Sequence, residues 1–238
     1  VSAHASQAAY DVRFEWGEAA LRHVATARDV VIVVDVLSFS TCVDIACARG
    51  AAVLPCTFKD ERAAALAREQ GAVLAGARGG PGFSLSPVSL LGLERGTRLV
   101  LPSPNGAALS LAAPSPLVLA GTLRNAAAVA RHAATHGAPV VVVAAGERWP
   151  DGSLRPAVED MLGAGAIIDA LGGSRSPEAA LAAAAFNASR DSLGEIVGGC
   201  ASAVELQARG FADDVALALA LNESRCVPRL LHGAYVAA

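Results

Sequence analysis

Residues 29–36 read Asp-Val-Val-Ile-Val-Val-Asp-Val, and every position between the two aspartates is apolar and β-branched. Successive side chains of a strand point to opposite faces, so this stretch is apolar on both. A strand covered on both sides belongs in a parallel sheet with helices above and below. Outward from it, Phe39–Arg49 reads as a helix, Ala51–Cys56 as a strand, and Lys59–Gln70 as a helix closed by Gly71. Further strands are predicted at Ala72–Ala75, Arg98–Leu101, Pro116–Ala120 and Pro139–Ala145, with helices at Asn105–Ala112, Leu123–Thr135 and Pro156–Ala170. That alternation is the pattern of an α/β fold with a mostly parallel sheet.

Beyond Ser176 the pattern changes. Pro177–Phe186, Ser189–Val197, Ala201–Arg209 and Ala212–Leu221 all read as helices with no clear strand between them. The expected organisation is a single domain over residues 1–238, divisible at Gly172–Ser176 into an α/β core (1–172) and a helical portion (177–238). The Gly/Ser/Pro-rich loop Gly76–Pro87 is long for a simple connection, and loops of that length are often functional.

The chain is 53% hydrophobic and 17% charged, which excludes a disordered protein. Mean hydropathy is +0.44. It comes from scattered Ala and Val: the longest apolar stretch, Val30–Ala48, carries Asp35 and Asp44, and no uncharged run reaches the ~18–20 residues of a membrane span. Lys and Arg number 19 against 22 Asp and Glu, with no basic stripe, so the footprint of a nucleic-acid binder is missing. Lys59 is the only lysine, which excludes a GxxxxGK[ST] phosphate loop. Five cysteines without a CxxC pair argue against a zinc ribbon and for a reducing, cytoplasmic setting. Nothing in the composition opposes a homo-oligomer.

Ligands of parallel α/β sheets collect beyond the carboxyl ends of the strands. At the first such edge, Asp35 is followed by Ser38, Ser40 and Thr41. A carboxylate there caps the next helix, pairs with an arginine or holds a metal. Asn105 and Gly106 open a helix directly after a strand and can turn backbone N–H groups toward an anion. Arg124 and Asn125 do so after another, where a forked donor suits an oxyanion. Glu147 follows the last strand, and Glu159-Asp160 start the next helix. Asp35, Glu147, Glu159 and Asp160 would form an edge of hard oxygen ligands suited to Mg2+. Adjacent helical residues point about 100° apart, so one of Glu159 and Asp160 is expected to face it. Gly163 and Gly165 read as close helix packing, His132 and His136 as exposed helix residues, and Cys42 as buried filler.

Taken in order, VVIVVDVLSFST (30–41), ARGG (77–80), SLSP (84–87), LPSPNGA (101–107), GTLRNAAAVA (121–130), VVVVAAGE (140–147) and VEDMLGAGAII (158–168) resemble the 2-phosphosulfolactate phosphatase (ComB-type) family. The resemblance covers residues 29–228 or so. It implies a three-layer α/β/α fold and a Mg2+-dependent acid phosphatase acting on 2-phospho-3-sulfolactate, a step of coenzyme M synthesis. On that reading Asp35, Glu147 and Asp160 are catalytic, with Mg2+ held by Asp35, Glu147 and one of Glu159 and Asp160. The small phosphate ester is bound by Ser38, Ser40, Thr41, Arg78, Asn105, Gly106, Arg124 and Asn125, Arg78 taking its far end. Ser38 and Ala77 stand where the family pattern has Arg and Glu, which motivates a second reading: a non-catalytic anion-binding or regulatory protein on the same scaffold. A third, a cysteine hydrolase of isochorismatase type, would need Lys59 beside a positioned nucleophilic cysteine, and the spacing offers none.

Overall fold

In a computed structural model describing residues 5–238, the central strand β2 (Val30–Val34) is wholly buried, as its unbroken β-branched sequence requires. Each such side chain withdrawn from water contributes ~1.5–3 kcal/mol. The other strands of its sheet are β1 (Val12–Trp16), β3 (Ala52–Cys56), β4 (Val73–Leu74), β5 (Arg98–Pro102), β6 (Val118–Gly121), β7 (Val140–Ala144), β10 (Pro228–Leu231) and β11 (Ala234–Ala237). A separate two-stranded ribbon pairs β8 (Glu147–Arg148) with β9 (Leu154–Arg155). The helices are α1 (Gly17–Val24), α2 (Phe39–Ala48), α3 (Glu61–Glu69), α4 (Gly106–Ala112), α5 (Ala126–Ala134), α6 (Val158–Ala170), α7 (Pro177–Ser189), α8 (Leu193–Gly198), α9 (Ala201–Ala208) and α10 (Ala212–Ala218).

The sheet order is β1-β7-β2-β6-β10-β11-β3-β5-β4. β1, β7, β2 and β6 run parallel to one another, as do β3, β5 and β4, so the sheet is mostly parallel. The antiparallel hairpin β10–β11 joins the two groups. One face of the first group packs with α5, α6 and α7 around Val30, Ile32 and Val34. The opposite face, carrying Val31 and Val33, packs on α2 and α4, which also cover Val53, Leu99 and Leu101 of the second group. Helix α3 closes the outer side of the second group over Leu54 and Val100. Gly165 lets α6 and α7 approach: a Cβ there would lie 2.2 Å from the Ala182 carbonyl oxygen.

Two differences from the sequence reading matter. Residues 228–237 are not helical; they form a hairpin whose two-residue turn has positive φ at both His232 (49°) and Gly233 (81°), the primed geometry that matches strand twist. The N-terminal β1 was hidden by Arg13 and Glu15. Arg13 is nonetheless buried, because it ion-pairs with buried Asp29 and donates to the Val24 carbonyl at 2.7 Å. No helix among the described residues is long and apolar enough to cross a membrane.

Candidate active site

The carboxyl ends of β2, β5 and β7 meet at a cavity of about 730 Å³. Asp35 stands just past β2, on the cavity wall and almost wholly buried. Its Oδ1 accepts the Phe39 amide at 3.0 Å and its Oδ2 the Gly106 amide at 2.9 Å. It therefore caps α2 and also ties α4 to β2. Glycine at 106 is a steric necessity: a Cβ would lie 2.3 Å from Phe39 Cδ1 and 2.8 Å from Asp35 Oδ2. Burial, then the nearby Glu147 charge, pushes the Asp35 carboxyl up to about 7, against the pull of the two amides.

Glu147 begins the β8–β9 ribbon on the same wall. Asn105 Nδ2 donates to its Oε2 at 3.0 Å. Burial raises the Glu147 carboxyl, opposed by that hydrogen bond and by the Arg155 charge. Ser38 and Arg78 also stand on the wall, and Arg78 Nη2 donates to Ser38 Oγ at 3.0 Å. Asp35, Ser38, Arg78, Asn105 and Glu147 are thus brought together as the sequence led one to expect, with the Gly106 amide behind them.

The remaining expected site residues are spent on structure. Neither Glu159 nor Asp160 is part of the cavity wall. Asp160 accepts the Val36 amide at 2.7 Å and the Gly146 amide at 2.8 Å, locking two strand ends together from behind Asp35. Burial, and then the charges of Asp35 and Glu159, hold its carboxyl well above the usual range. Gly146 can serve because its φ is 63° and a Cβ would lie 2.8 Å from the Arg155 carbonyl oxygen. Glu159 Oε2 accepts the Cys200 thiol at 3.1 Å. Ser40 Oγ donates to the Val33 carbonyl at 3.1 Å, and Thr41 Oγ1 to the Val36 carbonyl at 2.7 Å. Arg124 pairs with fully buried Asp44 at 3.0 Å and donates to the Leu217 carbonyl. Asn125 closes a capping box with Thr122 and donates to the Cys226 carbonyl at 3.2 Å. Both were read as anion donors because they follow a strand, yet their side chains turn away from the cavity to the C-terminal segment.

In their place the fold supplies cations that sequence reasoning missed. Lys59, Arg148, Arg155 and Arg209 join Arg78 on the wall, five cations against the three carboxylates Asp35, Glu147 and Glu205. That reverses the sign of a chain whose formal net charge is −3, and a wall of this charge suits an anion. Arg148 and Arg155 arrive on a tight ribbon whose turn, Trp149-Pro150-Asp151-Gly152-Ser153, carries an ordinary turn signature between two short runs. That signal was present in the sequence.

Among the described residues, no three Asp, Glu, His or Cys side chains gather into a closed metal cage. The donor chemistry nevertheless suits a hard divalent cation. Mg2+ is commonly held by one or two carboxylates, with water and substrate phosphate completing the octahedron. Asp35 and Glu147 are two such carboxylates on one wall, and the Glu147 charge helps to raise the Asp35 carboxyl.

Comparison with known proteins agrees with the resemblance. The sequence pattern of the family described as 2-phosphosulpholactate phosphatase matches residues 18–233. A Deinococcus radiodurans protein named "Probable 2-phosphosulfolactate phosphatase" is 36% identical over 219 residues, 86% of this chain and 89% of that protein. A relative of the same name from Gloeobacter violaceus is 30% identical over 212 residues, 84% of this chain and 88% of its own. A third, from Carboxydothermus hydrogenoformans, is 35% identical over 148 residues, 59% of this chain and 60% of its own. The chain belongs to the 2-phosphosulfolactate phosphatase family of phosphoric monoester hydrolases.

Proposed function

We propose that the protein is a Mg2+-dependent phosphatase of a small, multiply acidic phosphate monoester, 2-phosphosulfolactate or a related phospho-acid. The carrying observation is the cavity wall itself, where the Asp35–Glu147 pair is faced by Lys59, Arg78, Arg148, Arg155 and Arg209. Asp35 and Glu147 are the side chains that would hold the Mg2+. That ion, when bound, offsets phosphate charge and makes a coordinated water a better nucleophile.

The chain's own groups do the rest. Asn105 fixes the Glu147 carboxylate. Asp160 holds the ends of the strands that carry Asp35 and Glu147, so the pair keeps its spacing. Arg148 and Arg155, on the same ribbon as Glu147, bind the phosphate oxygens; fixed cations of this kind stabilise the charge spread of phosphoryl transfer. The leaving alkoxide emerges among these cations, which offset its charge until water protonates it. The five cysteines are free, in keeping with a reducing cytoplasm.

The test is phosphate release from 2-phosphosulfolactate and from phospholactate, in Mg2+ and in EDTA. Turnover that chelation abolishes and Mg2+ restores is the expected result. Binding of both esters by folded protein without phosphate release would instead establish the anion-binding reading. Turnover that persists in EDTA would remove the metal.

A further inference from the structure

The cations of the cavity fall into two sets. Arg148 and Arg155 share the β8–β9 ribbon with Glu147. Arg78 and Arg209 come from distant parts of the chain yet rest on one aromatic ring: their Cζ atoms lie 5.3 and 5.7 Å from the centroid of Phe211. Phe211 occupies the turn between α9 and α10. The Gly-rich loop lies against it, since a Cβ on Gly79 would sit 3.3 Å from Phe211 Cζ.

Asp214, one turn further along, is buried to 1% exposure. Its Oδ2 pairs with Arg78; its Oδ1 accepts the Ser86 hydroxyl at 2.6 Å and the Val88 amide at 3.0 Å. Asp214 thereby fixes both the cation and the far end of the loop that bears it. Arg78 is the rigid member: its side chain is 11% exposed, held by Asp214 and Ser38, and it lines the cavity. Arg209 is the loose member: its side chain is 52% exposed, and besides the Phe211 ring it pairs with Glu205, itself exposed, at 3.1 Å. An acidic ligand can displace Glu205 at little cost, because exposed pairs of this kind are weak.

We propose that Arg78 and Arg209, mounted on Phe211, form a two-arginine clamp for the carboxylate or sulfonate of the substrate, distinct from the phosphate position, with Asp214 as its positioning residue. The proposal rests on the phosphatase reading and assigns its acid specificity to the Gly-rich loop and the turn between α9 and α10. Planar forked donors on a ring face suit an oxyanion of this class. A single charge-assisted contact of this kind is worth about a tenfold change in affinity.

The experiment measures calorimetric binding of two probes in Mg2+: sulfoacetate, which carries a carboxylate and a sulfonate but no phosphate, and inorganic phosphate. Arg209→Ala and Phe211→Leu, the latter keeping apolar bulk, are expected to weaken sulfoacetate roughly tenfold. Phosphate affinity is expected to stay within about twofold. Equal weakening of both probes, or unchanged sulfoacetate affinity in both variants, overturns the clamp. Wild-type protein that binds phosphate but not sulfoacetate also overturns it, while the Asp35–Glu147 reading stands. Wild-type protein that binds neither probe and turns over no ester overturns both. For Asp214, the Asp214→Asn variant should raise KM for phosphosulfolactate about tenfold with kcat within about twofold. A fall in kcat at unchanged KM would make Asp214 a structural residue only and remove its positioning role.

Discussion

Asp35 Oδ2 and the Gly106 amide are joined by a 2.9 Å hydrogen bond across 71 residues of chain. One carboxylate oxygen thus fixes the distance between the end of β2 and the start of α4, and with it the distance from Asp35 to Asn105 and Glu147.

A methyl group at 106 would destroy that spacing. Gly106→Ala must push Phe39 or Asp35 aside, since its Cβ would lie 2.3 Å from one and 2.8 Å from the other. Overpacking of this kind costs roughly 1–3 kcal/mol, and the displaced carboxylate should also lose most of the activity. Thermal unfolding and kcat/KM on the same preparation check both. A variant with native melting temperature and native turnover would show that the approach is not rigid.

Glu147→Gln keeps the acceptor for Asn105 and removes the charge. Turnover should fall roughly a hundredfold or more. Stability should change by no more than about 0.5 kcal/mol, because the residue is only half-buried and keeps its bond. Comparable turnover in the variant would take Glu147 out of the chemistry.

Arg124 should behave in the opposite way. Its partner Asp44 is fully buried, so Arg124→Ala strands a carboxylate whose burial already raises its pKa. Breaking such a pair costs on the order of 3 kcal/mol. The folded fraction should turn over substrate with unchanged KM. A raised KM at unchanged stability would return Arg124 to the substrate.

Chelated protein should lose stability as pH rises. The Asp35 carboxyl is up to about 7 in the folded chain against an ordinary value of 3.8, so folding favours its protonated form. That contribution is complete below pH 3.8 and is lost as pH rises through about 7, and the raised Asp160 carboxyl acts in the same sense. The span for Asp35 is on the order of 4 kcal/mol. In EDTA, the melting temperature of the wild type should therefore decline more steeply from pH 5 to 8 than that of Asp35→Asn. Saturating Mg2+ should flatten the wild-type curve. Parallel curves with and without Mg2+ would mean that no cation reaches Asp35.

Much of the fold was legible because its central rule is local. Val30–Val34 can only be a strand covered on both faces, and the strand–helix alternation after it repeats the message. What stayed hidden depends on partners distant in sequence. β1 looks too polar until Asp29 neutralises Arg13. β10 and β11 are short and half-exposed in places, so their periodicity is faint. At the site, position past a strand end singled out Asp35, Asn105 and Glu147, and the fold brings all three to one cavity wall. The same rule misread Arg124, because nothing local in the sequence shows that buried Asp44 claims it. Glu159 and Asp160 were read as competing for one position; both are buried, and each found a different structural partner. The cations on the wall come from four separated segments, and no short window of sequence shows that they converge.

The hairpin that completes the sheet has a kinetic consequence. β10 meets β6 through the single register pair Arg229–Leu119, and β11 meets β3 through Tyr235–Val53. Until residues 228–237 dock, β6 and β3 each present a bare apolar edge, and the pairings that cover them close very long loops. Contacts of that range form slowly. Bare edges meanwhile recruit other chains. Refolding yield should therefore fall steeply with protein concentration. A peptide of residues 228–237 supplied in trans is expected to recover part of that yield by occupying the seam between the two groups of strands before a neighbouring molecule does.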